Sequence, residues 1–416
     1  MGEWLRGLFG RKRAPGSVAG PASGGEPPAE SSFAQNGNDF ACALYRELRE
    51  RPGNLFLSPF SIRVVLDMAR AGARGETAEQ MERVLCVSPA EEFADSALGR
   101  IHRRLRAAGS GAEFELTVAN SLWSQEGAPI RSDYLDRIAR DYGGPLRLVD
   151  FDRAAEAART AINDWVAEET RQKIRELISP GALSAETRLV LASAIYFKGR
   201  WQEPFRGQAT VTEPFYREDG STVPAPLMRQ QSRVGYVKGD QYQAIELLYR
   251  GGGISMVVLL PDRKDGLRDL EKSLSARMFQ KCVSRMDRRE VEIFLPRFRL
   301  TWQRGLGNDL AALGMTHAFS RSLADFSGIN DRKAPADDSL FISDVVQKAL
   351  AEVDEEGTTA AAATAAMMAP TASRLRVKPP PIPVFRADHP FLFAICDRNS
   401  DAILFLGRVA DPTREN

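Results

Sequence analysis

The sequence predicts an α+β fold in which mixed central β-sheets are surrounded by helices. Apolar residues recur at helical spacing in the first part of the chain, and buried-type strands recur from its middle onward. No Pro/Gly/Ser-rich linker interrupts the chain between residues 33 and 348, although a length of 416 residues would suggest two or three domains. We therefore expect a disordered tail over residues 1–32, basic and then Pro/Gly/Ser-rich, and a single domain over residues 33–416.

Composition argues against several classes of function. The chain has 56 basic and 55 acidic residues, so its net charge is near zero and bulk nucleic-acid binding is disfavoured. No apolar run reaches the length of a membrane span. The sequence contains neither a nucleophile elbow nor a complete dinucleotide-binding fingerprint, and its three histidines lie in no ligand motif. We expect no enzyme activity, no metal and no cofactor.

The spacing of the four cysteines likewise indicates no metal site and no redox site. They are far apart in the sequence and form no metal or redox spacing, so we expect reduced core residues at Cys42, Cys86, Cys282 and Cys396.

The N-terminal stretch 1–13, MGEWLRGLFGRKR, mixes apolar and basic residues. Arg6 interrupts the apolar run, so the stretch does not form a signal peptide, and a cytoplasmic location is favoured. Arg6 also stands where a myristoylation motif requires Ser or Thr. A disordered tail is the first expectation, and a weak membrane contact through an interfacial helix in 1–13 is the second.

The first half of the chain alternates helices with strands. Phe40, Leu44 and Leu48 have helical spacing, and the next helix begins at Ser58 and Pro59. RIHRRLRAA and INDWVAEETRQKI read as helices, whereas FELTVANSLWS alternates like a strand and LVLASAIYFKGRW reads as a buried strand that ends at Trp201. Further on, ISMVVLLPD and VEIFLPRFRL are buried strands, each stopped at a proline.

The segment Lys348–Pro370, KALAEVDEEGTTAAAATAAMMAP, has the most unusual pattern. Alanine favours helices, so composition alone predicts a surface helix or a linker. However, small side chains occupy both alternating faces after Gly357, so a strand of this sequence could slide between two existing strands without steric cost. Gly357 would act as the hinge because glycine adopts backbone angles that other residues avoid.

This segment resembles the reactive-loop hinge of the serpins, whose pattern is E-E-G-T followed by small residues. The C-terminal FRADHPFLFAICDRNSDAILFLGRVADP resembles their last strands, and NLFLSPFSI, INDWVAEETRQKI, YFKGRW, FLPRFRL and LADFSGI occur in family order. The resemblance covers roughly residues 33–412 and is typical of a bacterial-type inhibitory member. It implies a serpin-like fold with an exposed reactive-centre loop at about 355–384.

The resemblance implies irreversible, suicide-type inhibition of a serine protease, with a cysteine protease as a second class of partner. The protease would cleave the loop and form an acyl-enzyme, and the loop would then insert as a new strand. A dozen inserted residues with roughly two ladder bonds each, at about 1 kcal/mol per bond, would contribute on the order of 20 kcal/mol. We expect a metastable monomer. A non-inhibitory serpin that acts as a carrier or chaperone remains the alternative.

The site residues follow from this register. The hinge comprises Glu355, Glu356, Gly357, Thr358, Thr359, Ala360, Ala361, Ala362 and Ala363. In the family the cleaved residue usually lies fourteen positions after the hinge glycine, so the resemblance implies a reactive bond at Thr371–Ala372, which suits elastase-like, subtilisin-like or chymotrypsin-like targets. If the extra loop length lies on the near side, the bond is Arg374–Leu375 and the target is trypsin-like. Met368 is a third choice.

The resemblance also predicts roles for two further groups of residues, one at the central sheet and one on a basic helix. The resemblance implies that the central sheet opens at a region that comprises Ser58, Ser61, Ser193, Trp201 and Gln347. The family generally has Asn where this chain has Ser193 and His where it has Gln347, so the hydrogen bonds are either remade or weakened. Arg100, Arg103 and Arg104 correspond to the helix through which some serpins bind polyanions; a solvated basic face is the first interpretation, since charge clusters usually are solvated, and polyanion binding is the second.

Overall fold

The computed structural model describes residues 29–87, 97–108, 114–127, 129–336, 338–357 and 381–415. Its helices are α1 (Ala29–Leu48), α2 (Pro59–Arg70), α3 (Gly75–Leu85), α4 (Ala97–Ala108), α5 (Ser132–Tyr142), α6 (Phe151–Glu169), α7 (Leu267–Ser273), α8 (Ala276–Ser284), α9 (Gly307–Ala312) and α10 (Ser327–Asn330). Its strands are β1 (Leu55–Leu57), β2 (Phe114–Gln125), β3 (Leu146–Val149), β4 (Leu189–Gly199), β5 (Val211–Tyr216), β6 (Thr222–Lys238), β7 (Tyr242–Leu248), β8 (Ile254–Pro261), β9 (Asp287–Pro296), β10 (Phe298–Gly305), β11 (Ile342–Val353), β12 (Val384–Arg386), β13 (Phe391–Asp397) and β14 (Ala402–Val409).

The strands form two mixed sheets. The five-stranded sheet has the order β10-β11-β4-β2-β3. The nine-stranded sheet has the order β1-β14-β13-β8-β7-β6-β9-β12, and β5 pairs with β6. The predicted α+β class with mixed sheets and surrounding helices is confirmed.

Helix α2 lies between the two sheets and is buried along its whole length. It contacts β14 of the larger sheet and both β2 and β4 of the smaller one. As predicted, the helix begins after Ser58, whose hydroxyl accepts a hydrogen bond from the backbone N–H of Ser61, and Pro59 occupies the first turn. The central helix is therefore positioned by a capped N-terminus that faces the smaller sheet.

Apolar packing joins the sheets into one main core. Phe56 of β1 stacks on Phe405 of β14 and Phe393 of β13, with ring centroids 5.3 and 5.7 Å apart. A second apolar cluster lies between α6 and the outer face of the smaller sheet, where Trp123 and Trp165 meet edge to face at 5.8 Å. Through this second cluster, α6 packs against the smaller sheet and covers part of its outer face.

Several predicted boundaries can be compared with the structure. Helix α1 begins at Ala29, so the last four residues of the predicted tail belong to a helix, and residues 1–28 lie outside the described part of the chain. Strands β8 and β9 end at Pro261 and Pro296, as predicted. INDWVAEETRQKI is helical only as far as Glu169.

The four cysteines are free. Three are buried, but Cys86 is only half-buried, because it follows the last turn of α3 in a left-handed conformation at the domain surface. None of the described helices is both long and apolar enough to cross a bilayer.

Candidate functional site

The smaller sheet contains one parallel pair of neighbouring long strands, β4 and β11. They are in register at nine positions, including Gln347 opposite Ser193 and Ala351 opposite Phe197. On their other sides, β4 pairs with β2 and β11 pairs with β10, both antiparallel. The β4–β11 pair is the seam of the sheet, and it carries the last strand before the hinge.

Five buried polar residues lie beneath this seam. They come from the N-cap and first turn of α2 and from β2, β4 and β11, all are less than 9% exposed, and we call them the polar cluster: Ser58, Ser61, Asn120, Ser193 and Gln347. Their side chains bond to one another and to the backbone, so the cluster connects the seam to the central helix.

Gln347 bonds to both sides of the seam. Its Oε1 accepts from the backbone N–H of Ser58 at 2.9 Å, and its Nε2 donates to the carbonyl of Ser58 at 3.0 Å. The same Nε2 donates to Oγ of Ser193 at 3.3 Å. The amide therefore satisfies a donor and an acceptor at the start of α2 while it bridges β11 and β4. The structure thus favours the first of the two predicted alternatives, in which the hydrogen bonds are remade.

A directed chain of hydrogen bonds continues across the cluster. Ser193 donates to Ser61 at 3.0 Å, and Ser61 donates to Oδ1 of Asn120 at 2.8 Å. Ser58 donates from Oγ to the carbonyl of Leu404 in β14 at 2.7 Å. Every member is satisfied, as buried polar networks must be to avoid a large desolvation cost.

Asn120 is a member of the cluster that was not predicted. It pairs in register with Ser193 across β2 and β4, and its Nδ2 donates to the carbonyl of Ser61 at 3.4 Å. The available signal was an amide in the middle of FELTVANSLWS, an otherwise apolar strand. A buried amide needs partners, but the sequence does not show which strand supplies them.

The hinge begins where β11 ends, and its first residues are held against Trp201. The indole Nε1 of Trp201 donates to the carbonyl of Asp354 at 2.9 Å, and its backbone N–H donates to the carbonyl of Glu356 at 3.0 Å. The backbone N–H of Phe205 donates to the carbonyl of Glu355 at 2.7 Å. Trp201 is 2% exposed and stacks on Tyr249 with ring centroids 4.4 Å apart. This arrangement docks the hinge on the end of β4.

The carboxylate of Glu355 adds a charged contact to this docking. It accepts hydrogen bonds from the guanidinium of Arg297 and from the hydroxyl of Thr210. Burial alone would raise the pKa of Glu355, but these hydrogen bonds outweigh burial and hold its pKa below the usual value. The docked hinge therefore favours the ionised form.

Gly357 occupies a position that admits no side chain. Its φ is +74°, and an added Cβ would lie 2.2 Å from the carbonyl oxygen of Gly199 and 2.4 Å from the backbone nitrogen of Trp201. Both obstacles are main-chain atoms, which cannot rotate away. Glycine is therefore required at this position for two reasons: the backbone is left-handed, and the main chain of Gly199 and Trp201 leaves no room for a Cβ.

The remaining loop residues lie outside the described part of the chain, which resumes at residue 381. This applies to the hinge residues Thr358 to Ala363 and to the reactive-bond candidates Met368, Thr371, Ala372, Arg374 and Leu375. Beyond the gap, β12 pairs in parallel with β9 in the other sheet. The two described ends of the loop are therefore anchored on different sheets.

The three predicted polyanion contacts lie on α4. Arg103 is exposed, whereas Arg100 and Arg104 are half-buried. Arg104 forms an ion pair with Asp397 of β13. One of the three guanidinium groups is therefore engaged with a buried carboxylate of the domain itself.

Two of the three histidines have side chains that hydrogen-bond to backbone carbonyls within the domain. Nε2 of His102 bonds to the carbonyl of Tyr142 at 2.8 Å, and Nε2 of His389 bonds to the carbonyl of Pro261 at 2.8 Å. Among the residues that the structure describes, no group of three His, Cys, Asp or Glu side chains could hold a metal ion.

Comparisons with known proteins place this geometry in a family. Residues 35–412 match the family model described as Serpin (serine protease inhibitor). An uncharacterized serpin-like protein of Thermococcus kodakarensis is 39% identical over 90% of this chain and 84% of its own length. The leukocyte elastase inhibitor of Sus scrofa is 39% identical over 90% of this chain and 97% of its own. The crystal structure of uncleaved ovalbumin superposes with a TM-score of 0.81 at 29% identity, covering 91% of this chain and all of that one.

These matches confirm the resemblance drawn from the hinge and the C-terminal strands, and they confirm the serpin-like fold. The family model is described as a serine protease inhibitor and the curated relatives include leukocyte elastase inhibitors, so the family assignment is to inhibitors rather than enzymes, as the sequence predicted. The chain belongs to the serpin family.

Proposed function

We propose that this chain is a suicide-type inhibitor of serine proteases that acts by loop cleavage, acyl-enzyme trapping and strand insertion. The observation that carries the proposal is the seam between β4 and β11, whose strands run parallel and whose end holds the docked hinge. Both features are what an inserting loop requires.

The direction of the strands matters. The chain leaves β11 at the top of the seam and turns at Asp354–Gly357. A strand that returned down the seam would run antiparallel to β11, and it would also run antiparallel to β4, because those two strands are parallel. Insertion would replace one parallel ladder by two antiparallel ladders, which are slightly more stable per residue.

The free energy of this exchange can be estimated. A dozen inserted residues would form roughly 24 ladder bonds, while the nine paired positions of the seam would lose roughly nine. At about 1 kcal/mol net per bond, the gain is on the order of 15 kcal/mol. This is below the 20 kcal/mol expected from the loop alone, because the seam bonds are given up. It still matches or exceeds the stability of an ordinary domain, about 5 to 15 kcal/mol.

The proposed target follows from the loop sequence. With Thr371–Ala372 as the reactive bond, the small side chain of Thr371 suits elastase-like or subtilisin-like pockets. A curated relative is named leukocyte elastase inhibitor, which supports an elastase-like target. The inhibitor would act as a monomer and without a cofactor, since the protease supplies the nucleophile.

Incubation with a panel of proteases tests the proposal. We expect a covalent complex with elastase or subtilisin that survives boiling in detergent. A loop that is cleaved with no such complex would support a carrier or chaperone and would overturn inhibition. Turnover of a peptide substrate by the chain alone would indicate an enzyme.

A matched pair of variants identifies the reactive bond. Thr371→Asp should abolish the complex with elastase, and Arg374→Ala should leave it unchanged. Mass analysis of the released C-terminal fragment should find Ala372 at its start. A fragment that starts at Leu375, together with a complex with trypsin, would assign the bond to Arg374.

A further inference from the structure

The outer face of the smaller sheet carries charged side chains at the top of the seam. Leu350 of β11 and Tyr196 of β4 belong to the second apolar cluster on this face. Glu352 and Lys198 follow two residues further along the same strands and therefore lie on the same face. Glu352 precedes the docked residue Glu355 by only three positions. These charges thus lie at the end of the seam where an inserting strand would enter.

The backbone register arranges the charges in a row. Glu115 of β2 pairs with Lys198 of β4, and Glu352 of β11 pairs with Arg299 of β10. The paired positions of β4 and β11 end one residue before Lys198 and Glu352, so these two residues are neighbours across the seam. Two residues outside the strands extend the row at its ends. We call the six residues the charged row: Lys173, Glu115, Lys198, Glu352, Arg299 and Glu415.

The charges alternate in sign along the row. Its ion pairs are Lys173–Glu115 at 3.8 Å, Lys198–Glu352 at 3.3 Å, Arg299–Glu352 at 3.6 Å and Arg299–Glu415 at 3.7 Å. The side chains of Lys198 and Glu352 are 19% and 27% exposed and are the most enclosed of the row. Because enclosed pairs are screened less by solvent, the Lys198–Glu352 pair should be the strongest of these contacts.

Of these four ion pairs, only Lys198–Glu352 crosses the seam. The others lie either on the β2 side of β4 or on the β10 side of β11. An inserted strand would increase the spacing of β4 and β11 from about 4.8 Å to about 10 Å. The present 3.3 Å contact between Lys198 and Glu352 must therefore break before a strand can enter.

Two contacts described above act at other places. The polar cluster joins β4 to β11 on the inner face of the sheet, against α2. The pair of Glu355 and Arg297 links the hinge to the residue before β10, on the side of β11 away from β4. The Lys198–Glu352 pair is thus the contact of the charged row that closes the seam on its outer face.

We propose that the Lys198–Glu352 ion pair limits how readily the seam opens and that salt weakens this restraint. In the uncleaved chain the pair keeps the top of the seam closed. During inhibition it delays loop insertion; this second effect rests on the proposed function, whereas the first does not.

Hydrogen exchange of the full-length, uncleaved chain measures seam opening without a protease. Lys198→Gln should speed exchange at the β4 and β11 amides near the pair by about two- to fivefold, the effect of one partly enclosed ion pair. Lys198→Arg, which keeps the charge, should exchange like the parent. Raising NaCl from about 0.05 to about 0.5 M should speed exchange in the parent, because screening shortens the reach of the charges, and should have a much smaller effect in Lys198→Gln.

Arg299→Gln is the matched control within the row. It removes the partner of Glu352 that lies away from the seam, so exchange at the same amides should stay within about 1.5-fold of the parent. Glu352→Gln removes the other partner of the proposed pair and should act like Lys198→Gln. The double variant Lys198→Gln/Glu352→Gln should exchange no faster than either single variant, because both changes remove the same interaction.

Two outcomes would overturn the proposal, whether or not the chain inhibits a protease. One is unchanged seam exchange in both Lys198→Gln and Glu352→Gln. The other is equal acceleration by Lys198→Gln and Arg299→Gln, which would assign the effect to the row as a whole. If the parent traps a protease, Lys198→Gln should need fewer inhibitor molecules per trapped protease and should lose activity faster on storage. A parent that forms no complex but shows the expected exchange would refute the proposed function and support the role of the ion pair.

Discussion

Replacing Gln347 by leucine removes the amide that bridges the seam while it keeps a side chain of similar size. The backbone N–H of Ser58 loses its acceptor, which costs about 1 to 3 kcal/mol for a buried donor. Two further bonds are lost, but the carbonyl of Ser58 keeps Ile62 as a donor and Ser193 keeps Ser61 as an acceptor. Part of the cost is offset by the more apolar leucine, so we expect a net loss of about 3 kcal/mol.

Thermal melting of the uncleaved protein measures this loss. Unfolding entropy of about 2.1 cal/mol/K per residue over about 380 residues gives roughly 0.8 kcal/mol per degree, so the melting temperature should fall by about 4 °C. The variant should also lose inhibitory activity faster on storage, because a bond that must break before the seam opens is already absent.

Gln208→Leu is the matched control, since Gln208 is exposed. The same change of side chain should leave its melting temperature within about 1 °C of the parent. If Gln347→Leu also melted within that margin, the polar cluster would not stabilise the closed seam, and the reasoning from its hydrogen bonds would be refuted.

Four other outcomes are expected. Gly357→Ala should undock the hinge, seen as faster hydrogen exchange at the Trp201 and Phe205 amides, because its Cβ would meet main-chain atoms. Acidification should undock it too: the lowered pKa of Glu355 means that the stabilisation is complete above its usual pKa of 4.5 and is lost as the pH falls through the lower folded value. Thr358→Arg should abolish the detergent-stable complex while loop cleavage persists, because an inserting strand would carry an unpaired charge inward at a cost of several kcal/mol. Cleavage of the loop in the parent should raise the melting temperature, because the inserted strand adds two ladders.

The controls for these four differ. Gly181→Ala has the same φ of +74° with open space around its Cβ, so it separates backbone strain from the clash. Glu355→Gln should remove the acid sensitivity, and a parent-like pH profile in that variant would assign it to another group. Undiminished complex formation by Thr358→Arg would show that insertion does not begin there. An unchanged melting temperature after cleavage would mean that the loop does not insert.

Local patterns predicted much of this fold. The cap at Ser58, the proline stops of β8 and β9 and the helical face of α1 depend on neighbouring residues, and all could be read directly from the chain. The start of α1 could not be read from the chain. The composition of the tail suggested that it continues to residue 32, whereas the helix already begins at Ala29.

The candidate site was less accessible to sequence reasoning. Four of the five members of the polar cluster were named through family resemblance, but Asn120 was missed, because its partners lie 59 residues away on α2 and 73 residues away, at Ser193. The contacts of Glu355 with Arg297 and Thr210 were likewise invisible, since no local rule relates a residue to one that is 58 or 145 positions distant.

The closure of the larger sheet joins the beginning of the chain to its end. β1 pairs with β14 through Leu55 and Arg408, and the Asn54 side chain bonds to the backbone of Asp411 and Arg414. On a ribosome that adds about 5 to 20 residues per second, β1 therefore waits on the order of 20 to 70 s for its partner. Throughout that interval Phe56 lacks the two rings against which it stacks. The unpaired strand and its exposed aromatic ring favour aggregation during this interval, and removal of residues 402–416, which contain β14, should leave β1 without its pairing partner.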